Sequence, residues 1–139
     1  MPRTRVETRA RARVLQALYA WDLRGEQQLE RVATQIWDDL SVPPDERRLA
    51  GLLVDTVSKH GAELDKEISE VTTNWRIERL GVVDRCVLRM AAAELRRDET
   101  PPRVVIQEAV RLAERYGTLK SAKFVNGVLD ALARRMGRM

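Results

Sequence analysis

Five arginines open the chain: Arg3, Arg5, Arg9, Arg11 and Arg13. Arg5, Arg9 and Arg13 are spaced four residues apart, so a helix turning about 100° per residue places them on one stripe. Like charges at that spacing repel, and a basic helix start is on the unfavourable side of the helix dipole. An anion relieves both costs, and nucleic-acid phosphate is the obvious candidate. The plain alternative is a solvated helix start. If four of the arginines met single-stranded phosphates, log affinity would fall with log salt at a slope of about −2.8, roughly fiftyfold between 50 and 200 mM.

Two further groups could extend such a surface. Tyr19 follows Arg5, Arg9 and Gln16 around the helix, off the face centred on Val14, Ala17 and Trp21. A half-exposed tyrosine there either stacks a splayed RNA base or rims the core with an amphipathic ring. Near the other end, Tyr116, Lys120, Lys123 and Phe124 surround a short turn between helices. Helix starts offer free N–H groups to anions, and Ser121 is placed to cap one. Phe124 reads first as core, and Asn126 as a buried hydrogen-bonding residue.

Other chemistry lacks its residues. His60 is the single histidine, and no second His or Cys stands at ligand spacing for a structural metal site. Cys86, the single cysteine, lies beside Val87 and Leu88 and reads as a small core residue with no histidine to activate it. The seven glycines form neither GxGxxG nor a phosphate loop. Acids fall at helix starts and in i,i+4 pairs such as Glu63–Glu67 and Asp55–Lys59, as on solvated faces. No catalytic constellation, metal or cofactor is expected.

The elements that position these groups are helical nearly everywhere, with no useful stretch of two-residue alternation. A first helix over about 4–24 buries Val6, Ala10, Val14, Ala17, Leu18 and Trp21, and Gly25 ends it. A second carries Leu29, Val32, Ala33, Ile36, Trp37 and Leu40 and stops before Pro43-Pro44, which with Asp45-Glu46 leads into a third. The pattern runs past Gly61 through Leu64, Ile68 and Val71, as a fourth helix or a bent continuation. Helices follow from about Gly81 to Arg97, from a Thr100 cap and Pro101-Pro102 to Gly117, and from Leu119 or Lys120 to Arg135. The expectation is an all-α fold of about seven helices.

Composition narrows the class. The chain has 139 residues and a formal charge of +4, from 25 Lys and Arg against 21 Asp and Glu. Five of those bases and one acid, Glu7, lie in the first thirteen residues, so the remaining 126 are balanced at 20 each. Arginine outnumbers lysine 21 to 4, which favours forked hydrogen bonding and stacking. The 44% hydrophobic content argues against disorder, and no apolar run approaches a membrane span. There is no secretory signal core, and a single cysteine suits a reducing compartment, so a cytoplasmic protein is expected.

The run KFVNGVLD at Lys123–Asp130, preceded by EAVRLAERYG at Glu108–Gly117, resembles the C-terminal signature of the NusB family of bacterial transcription antitermination factors. VDRCVLRMAAAEL at Val83–Leu95, the pair Asn74-Trp75 and RARVLQALYAWDL at Arg11–Leu23 fit the same family in order, so the resemblance covers essentially the whole chain. It implies two packed helical subdomains, about 1–60 and 61–139, forming one RNA-binding domain without catalytic activity. It also implies binding to the boxA element of rRNA leader transcripts as a heterodimer with NusE, a small ribosomal subunit protein. That complex joins RNA polymerase with other Nus factors and suppresses premature termination. Carried over by position, the implied RNA contacts are Arg9, Arg11, Arg13, Tyr19, Asp84, Arg89, Tyr116, Lys123 and Phe124; the implied NusE contacts are Glu70, Asn74, Arg76 and Asp84. The chain departs from the family at Asp84, shorter than the frequent glutamate, at Lys120 in place of an acid, and at Gln107 and Ala93.

Two alternatives stand beside this one. A NusB-like domain also precedes the catalytic domain of some rRNA cytosine methyltransferases, but that reading needs a cofactor-binding βαβ pattern after residue 139, and a stand-alone factor is the expectation. The other is an interaction protein that homodimerises through its first helix and hides its basic face.

Overall fold

A computed structural model describes residues 5–25, 27–72 and 76–139, so Arg3, Asn74 and Trp75 lie outside the described residues. Six α-helices and one 3₁₀ turn make up the regular structure, with no strand among the described residues: α1 Arg5–Arg24, α2 Leu29–Asp39, α3 Pro44–Val71, the turn Ile77–Arg79, α4 Val82–Arg97, α5 Pro102–Tyr116 and α6 Ser121–Arg135. The chain is all-α, as its periodicity requires.

The difference from about seven helices lies in α3. Of the two expected continuations past Gly61, a fourth helix or a bent one, the structure takes the bent one, and only His60 departs from helical geometry, at φ −121° and ψ 18°. His60 stands next to Gly61, a poor helix former, and the helix bends there instead of ending. Buried positions before the bend (Leu53, Val54, Val57) and after it (Leu64, Ile68) stay on the core side.

α4 is the centre of the molecule. Cys86, Val87, Leu88, Met90, Ala91, Ala92, Ala93 and Leu95 are all buried, so this helix is apolar nearly all round, as a central helix must be. It packs against α1, α3, α5 and α6, and its run of alanines lets those helices approach. On α1 the expected face is found: Ala10, Val14, Ala17 and Leu18 are fully buried, and Val6 and Trp21 are half-buried at its ends. One apolar cluster takes in residues of all six helices.

The helix ends differ from expectation in two places. Pro101, not Thr100, is the N-cap of α5, and the Thr100 hydroxyl donates instead to Glu94 Oε2 at 2.9 Å. Ser121 does not cap α6; it is buried, and its Oγ accepts the Thr118 N–H at 2.9 Å, closing the α5–α6 turn. Gly117 is required there, because a Cβ at that position would run into the Ser121 side chain and the Ala113 carbonyl. Gly25 ends α1 at φ +80°, a conformation that favours glycine. Asn126, expected to be buried, is exposed on α6 in a groove with Gln107, Val110, Arg111 and Glu114.

Candidate nucleic-acid interface

The N-terminal arginines divide by helix geometry. Arg11 lies about 200° from Arg9 around α1, which puts it with Val14 and Leu18 on the core side. It is 1% exposed. Its Nε donates to Glu94 Oε1 at 2.8 Å and its Nη2 to Glu94 Oε2 at 2.6 Å, a fork-to-fork pair, while Nη1 reaches Glu108 Oε1 at 3.0 Å. Glu108 also accepts the Thr8 hydroxyl at 2.8 Å. Burial works against the Arg11 charge, but the Glu94 hydrogen bond and both carboxylates outweigh it, and its pKa is raised. The structure therefore does not bring Arg11 to the outer basic stripe. It ties α1 to α4 and α5.

Arg5, Arg9 and Arg13 do share the outer stripe. Arg5 and Arg9 are exposed, and Arg13 is half-buried. Arg9 Nε lies 3.0 Å from Glu46 Oε2, and Arg13 Nε lies 3.0 Å from Glu46 Oε1. Glu46 is in the first turn of α3 and is itself buried. Glu46, Glu94 and Glu108 were not singled out by their sequence positions, where the acids read as solvated. The signal was present for two of them. Glu94 falls among Met90, Ala91 and Leu95, and Glu108 among Val105, Ala109 and Leu112, so each sits on a helix face that is otherwise apolar.

Two tyrosines from different helices line one cleft. Tyr19 from α1 and Tyr116 from the end of α5, 42% and 49% exposed, flank a cleft of about 400 Å³ also lined by Ala12, Leu15, Gln16 and Val83. The Arg115 guanidinium sits 5.3 Å from the Tyr116 ring centroid. Exposed aromatic rings with arginine beside them are the materials of base stacking. Next to Val83, in the first turn of α4, Asp84 has its Oδ1 buried without a hydrogen-bond partner. Lys123, exposed, and Phe124, half-buried against the core, stand in the first turn of α6 across the Gly117 turn from Tyr116.

Arg89 belongs to a different cluster. Its Nε and Nη2 donate to Asp65 at 2.8 and 3.0 Å, and its Nη1 reaches Asp22 Oδ2 at 3.2 Å. Arg85 grips the same Asp22 through Nε at 2.8 Å and Nη2 at 2.6 Å. The Arg85 hydrogen bond, against some desolvation, holds the Asp22 carboxyl below the usual carboxylate range. Arg89 also stacks 5.8 Å from the Trp21 ring centroid. It lines a separate groove with Trp21, Lys59 and Asp65, not the tyrosine cleft.

Among the positions implied for a protein partner, Glu70 is exposed and pairs with Arg135 at 3.1 Å, Arg76 is exposed just before the 3₁₀ turn, and Asn74 lies outside the described residues. Cys86 is fully buried, and burial pushes its thiol up to about 12. Among the described residues no group of three or more His, Cys, Asp or Glu side chains could hold a metal, and no helix is long and apolar enough to cross a membrane.

Residues 8–134 match the NusB family. The transcription antitermination protein NusB of Anaeromyxobacter dehalogenans is 45% identical over 129 residues, covering 91% of this chain and 89% of that protein. The protein of the same name from Sorangium cellulosum is 43% identical over 130 residues, covering 93% and 92%. Among solved structures, T. maritima NusB matches with a TM-score of 0.86 at 35% identity over 96% of this chain and 93% of that one. A crystal structure of antitermination factors NusB and NusE in complex with dsRNA matches with a TM-score of 0.84 at 34% identity, over 96% and 99%. The chain belongs to the NusB family.

Proposed function

We propose that the protein is a non-catalytic, cytoplasmic transcription antitermination factor that binds boxA RNA as a heterodimer with NusE and acts with RNA polymerase and other Nus factors. The observation that carries this reading is the continuity of one face, from the Arg5–Arg9–Arg13 stripe to the cleft between Tyr19 and Tyr116. Phosphates would meet the arginines, and splayed bases the tyrosine rings. The likeness to NusB in a complex with NusE and RNA supports the pairing of these two partners.

In this reading Arg9, Arg13, Tyr19, Tyr116, Lys123 and Phe124 form the RNA face, while Arg11 and Arg89 hold the scaffold behind it. Asp84, with its orphaned buried oxygen, and the exposed Glu70 and Arg76 are the candidates for contact with the protein partner.

The test is a titration of fluorescent boxA RNA and a scrambled RNA, with and without NusE, at two salt concentrations. Binding to boxA that is tighter than to the scrambled RNA and strengthened by NusE is the expected result. Steep salt dependence with no sequence preference, even with NusE, would reduce the face to a generic basic arm.

A further inference from the structure

The carboxylate beneath the basic stripe points to a role of its own. Glu46 is 3% exposed, yet it touches two of the stripe's arginines, one with each oxygen, and both through the Nε atom at 3.0 Å. Nε is the donor nearest the stem, so an ion pair made there leaves the Nη1 group, on the opposite edge of the planar guanidinium, for another acceptor. Arg9 is left more than half exposed, and Arg13 Nη1 is steadied by Gln16 Oε1 at 3.3 Å. The acid cannot easily move. It sits in the first turn of α3, a place suited to a carboxylate, and α1 is fixed above it by the Trp37 Nε1 bond to the Arg13 carbonyl at 3.1 Å.

We propose that Glu46 is a positioning residue for RNA binding: one buried carboxylate that holds Arg9 and Arg13 side by side as a two-guanidinium clamp for the phosphate backbone. The proposal rests on the reading of the stripe as an RNA face. Two effects of Glu46 then oppose each other. Its charge weakens attraction to any polyanion, while its two contacts remove rotamer freedom that RNA binding would otherwise have to remove. The first effect is shared by every anionic ligand. The second matters for a ligand whose phosphates have a fixed spacing.

The experiment compares Glu46→Gln, Arg9→Ala/Arg13→Ala and the triple variant, with fluorescent boxA RNA plus NusE as one probe and a heparin column as the other, thermal melts checking that each is folded. Glu46→Gln is expected to weaken RNA binding about tenfold, within the usual coupling range for contacting residues, yet to elute from heparin at higher salt. In the Arg9→Ala/Arg13→Ala background the same change is expected to cause no further loss of RNA affinity. RNA affinity that rises along with heparin affinity would make Glu46 a mere competitor and overturn the proposal. An equal loss in both backgrounds would also overturn it, as a defect of folding alone. If Arg9→Ala/Arg13→Ala binds RNA as tightly as the parent, the RNA face itself is misplaced. Should Glu46→Gln not fold, Arg9→Lys/Arg13→Lys keeps the charge but loses both Nε contacts. That variant is expected to lose RNA affinity with heparin elution unchanged, and unchanged RNA affinity would sink the clamp.

Discussion

The two ends of α1 are fastened by opposite charge arrangements. Near the N-terminus one arginine, Arg11, is held by two carboxylates in an almost dry site; near the C-terminus one carboxylate, Asp22, is held by two arginines in a partly wet one. The first site is sealed by the Thr8 and Thr100 hydroxyls, while the second opens on a groove and borrows Asp65 to balance its charge. Ion pairs by themselves say little about function. Their burial decides whether an arginine is scaffold or contact, and between these two fixed points Arg13 and Tyr19 are held in a set orientation.

The contrast can be broken most forcefully at the dry end. Arg11→Met strands two adjacent buried carboxylates and is expected to cost about 3–5 kcal/mol. In calorimetry that is a fall in thermal midpoint of about 10–20 °C for a domain of this size. Replacing all three members with apolar residues (Arg11→Met, Glu94→Leu, Glu108→Leu) should recover most of the loss. A midpoint unmoved by Arg11→Met would contradict the sealed triad.

Between the ends, Tyr19→Ala is expected to weaken boxA binding in the presence of NusE by about 1–3 kcal/mol, with the thermal midpoint nearly unchanged. Titration and melting on the same preparation separate the two. Unaltered RNA affinity would remove the ring from the interface.

At the wet end, Asp22→Asn is expected to cost less than the Arg11 change, about 1.5–3 kcal/mol for its charged hydrogen bonds, because Arg89 keeps Asp65 and Arg85 keeps the Leu80 carbonyl. The pH dependence has a definite sign. The folded Asp22 carboxyl is lowered below its unfolded value of about 3.9, so its contribution is present above that value and is lost as pH falls through the folded one. Denaturant unfolding between neutral pH and pH 3 should show a steeper acid loss in the parent than in Asp22→Asn. Equal slopes would mean that Asp22 is not gripped as the distances indicate.

The smallest effect belongs to the outermost charge. With Arg11 withdrawn into the core, three stripe arginines remain, and the salt slope for single-stranded RNA should be about −2.1 instead of −2.8. Arg5→Ala should lower its magnitude by a further 0.7 or so, measured as affinity across a salt series. A parent slope steeper than about −2.8 would mean that phosphates are met well beyond this stripe.

Much of this was legible in the sequence because helical periodicity is local. The buried faces of α1, α4 and α5, the turn at Pro43-Pro44 and the core position of Cys86 all follow from residues within two turns of each other. The misreadings concern groups whose partners are distant or compete. Thr100 and Ser121 have capping chemistry, but Glu94 and the Thr118 amide claim their hydroxyls. The α3 bend is a different case: the sequence allows either a fourth helix or a bent continuation past Gly61, and packing on both sides of His60 selects the bend. At the site, Tyr19 and Tyr116 could be suspected singly, but their shared cleft needed the fold. Arg11 shows a subtler loss. Its place on the apolar face was readable at helical spacing, yet its membership in a run of arginines hid it.

Arg11 and Glu108 are 97 residues apart, and that separation sets an order of events at birth. A ribosome adding about 5–20 residues each second makes the first helix long before the acids that will secure it, a wait of roughly 5–20 s. Through that interval Arg11 of the nascent chain is unclaimed by α4 and α5, and the dry site that ties α1 to them closes only as the last third of the protein is translated.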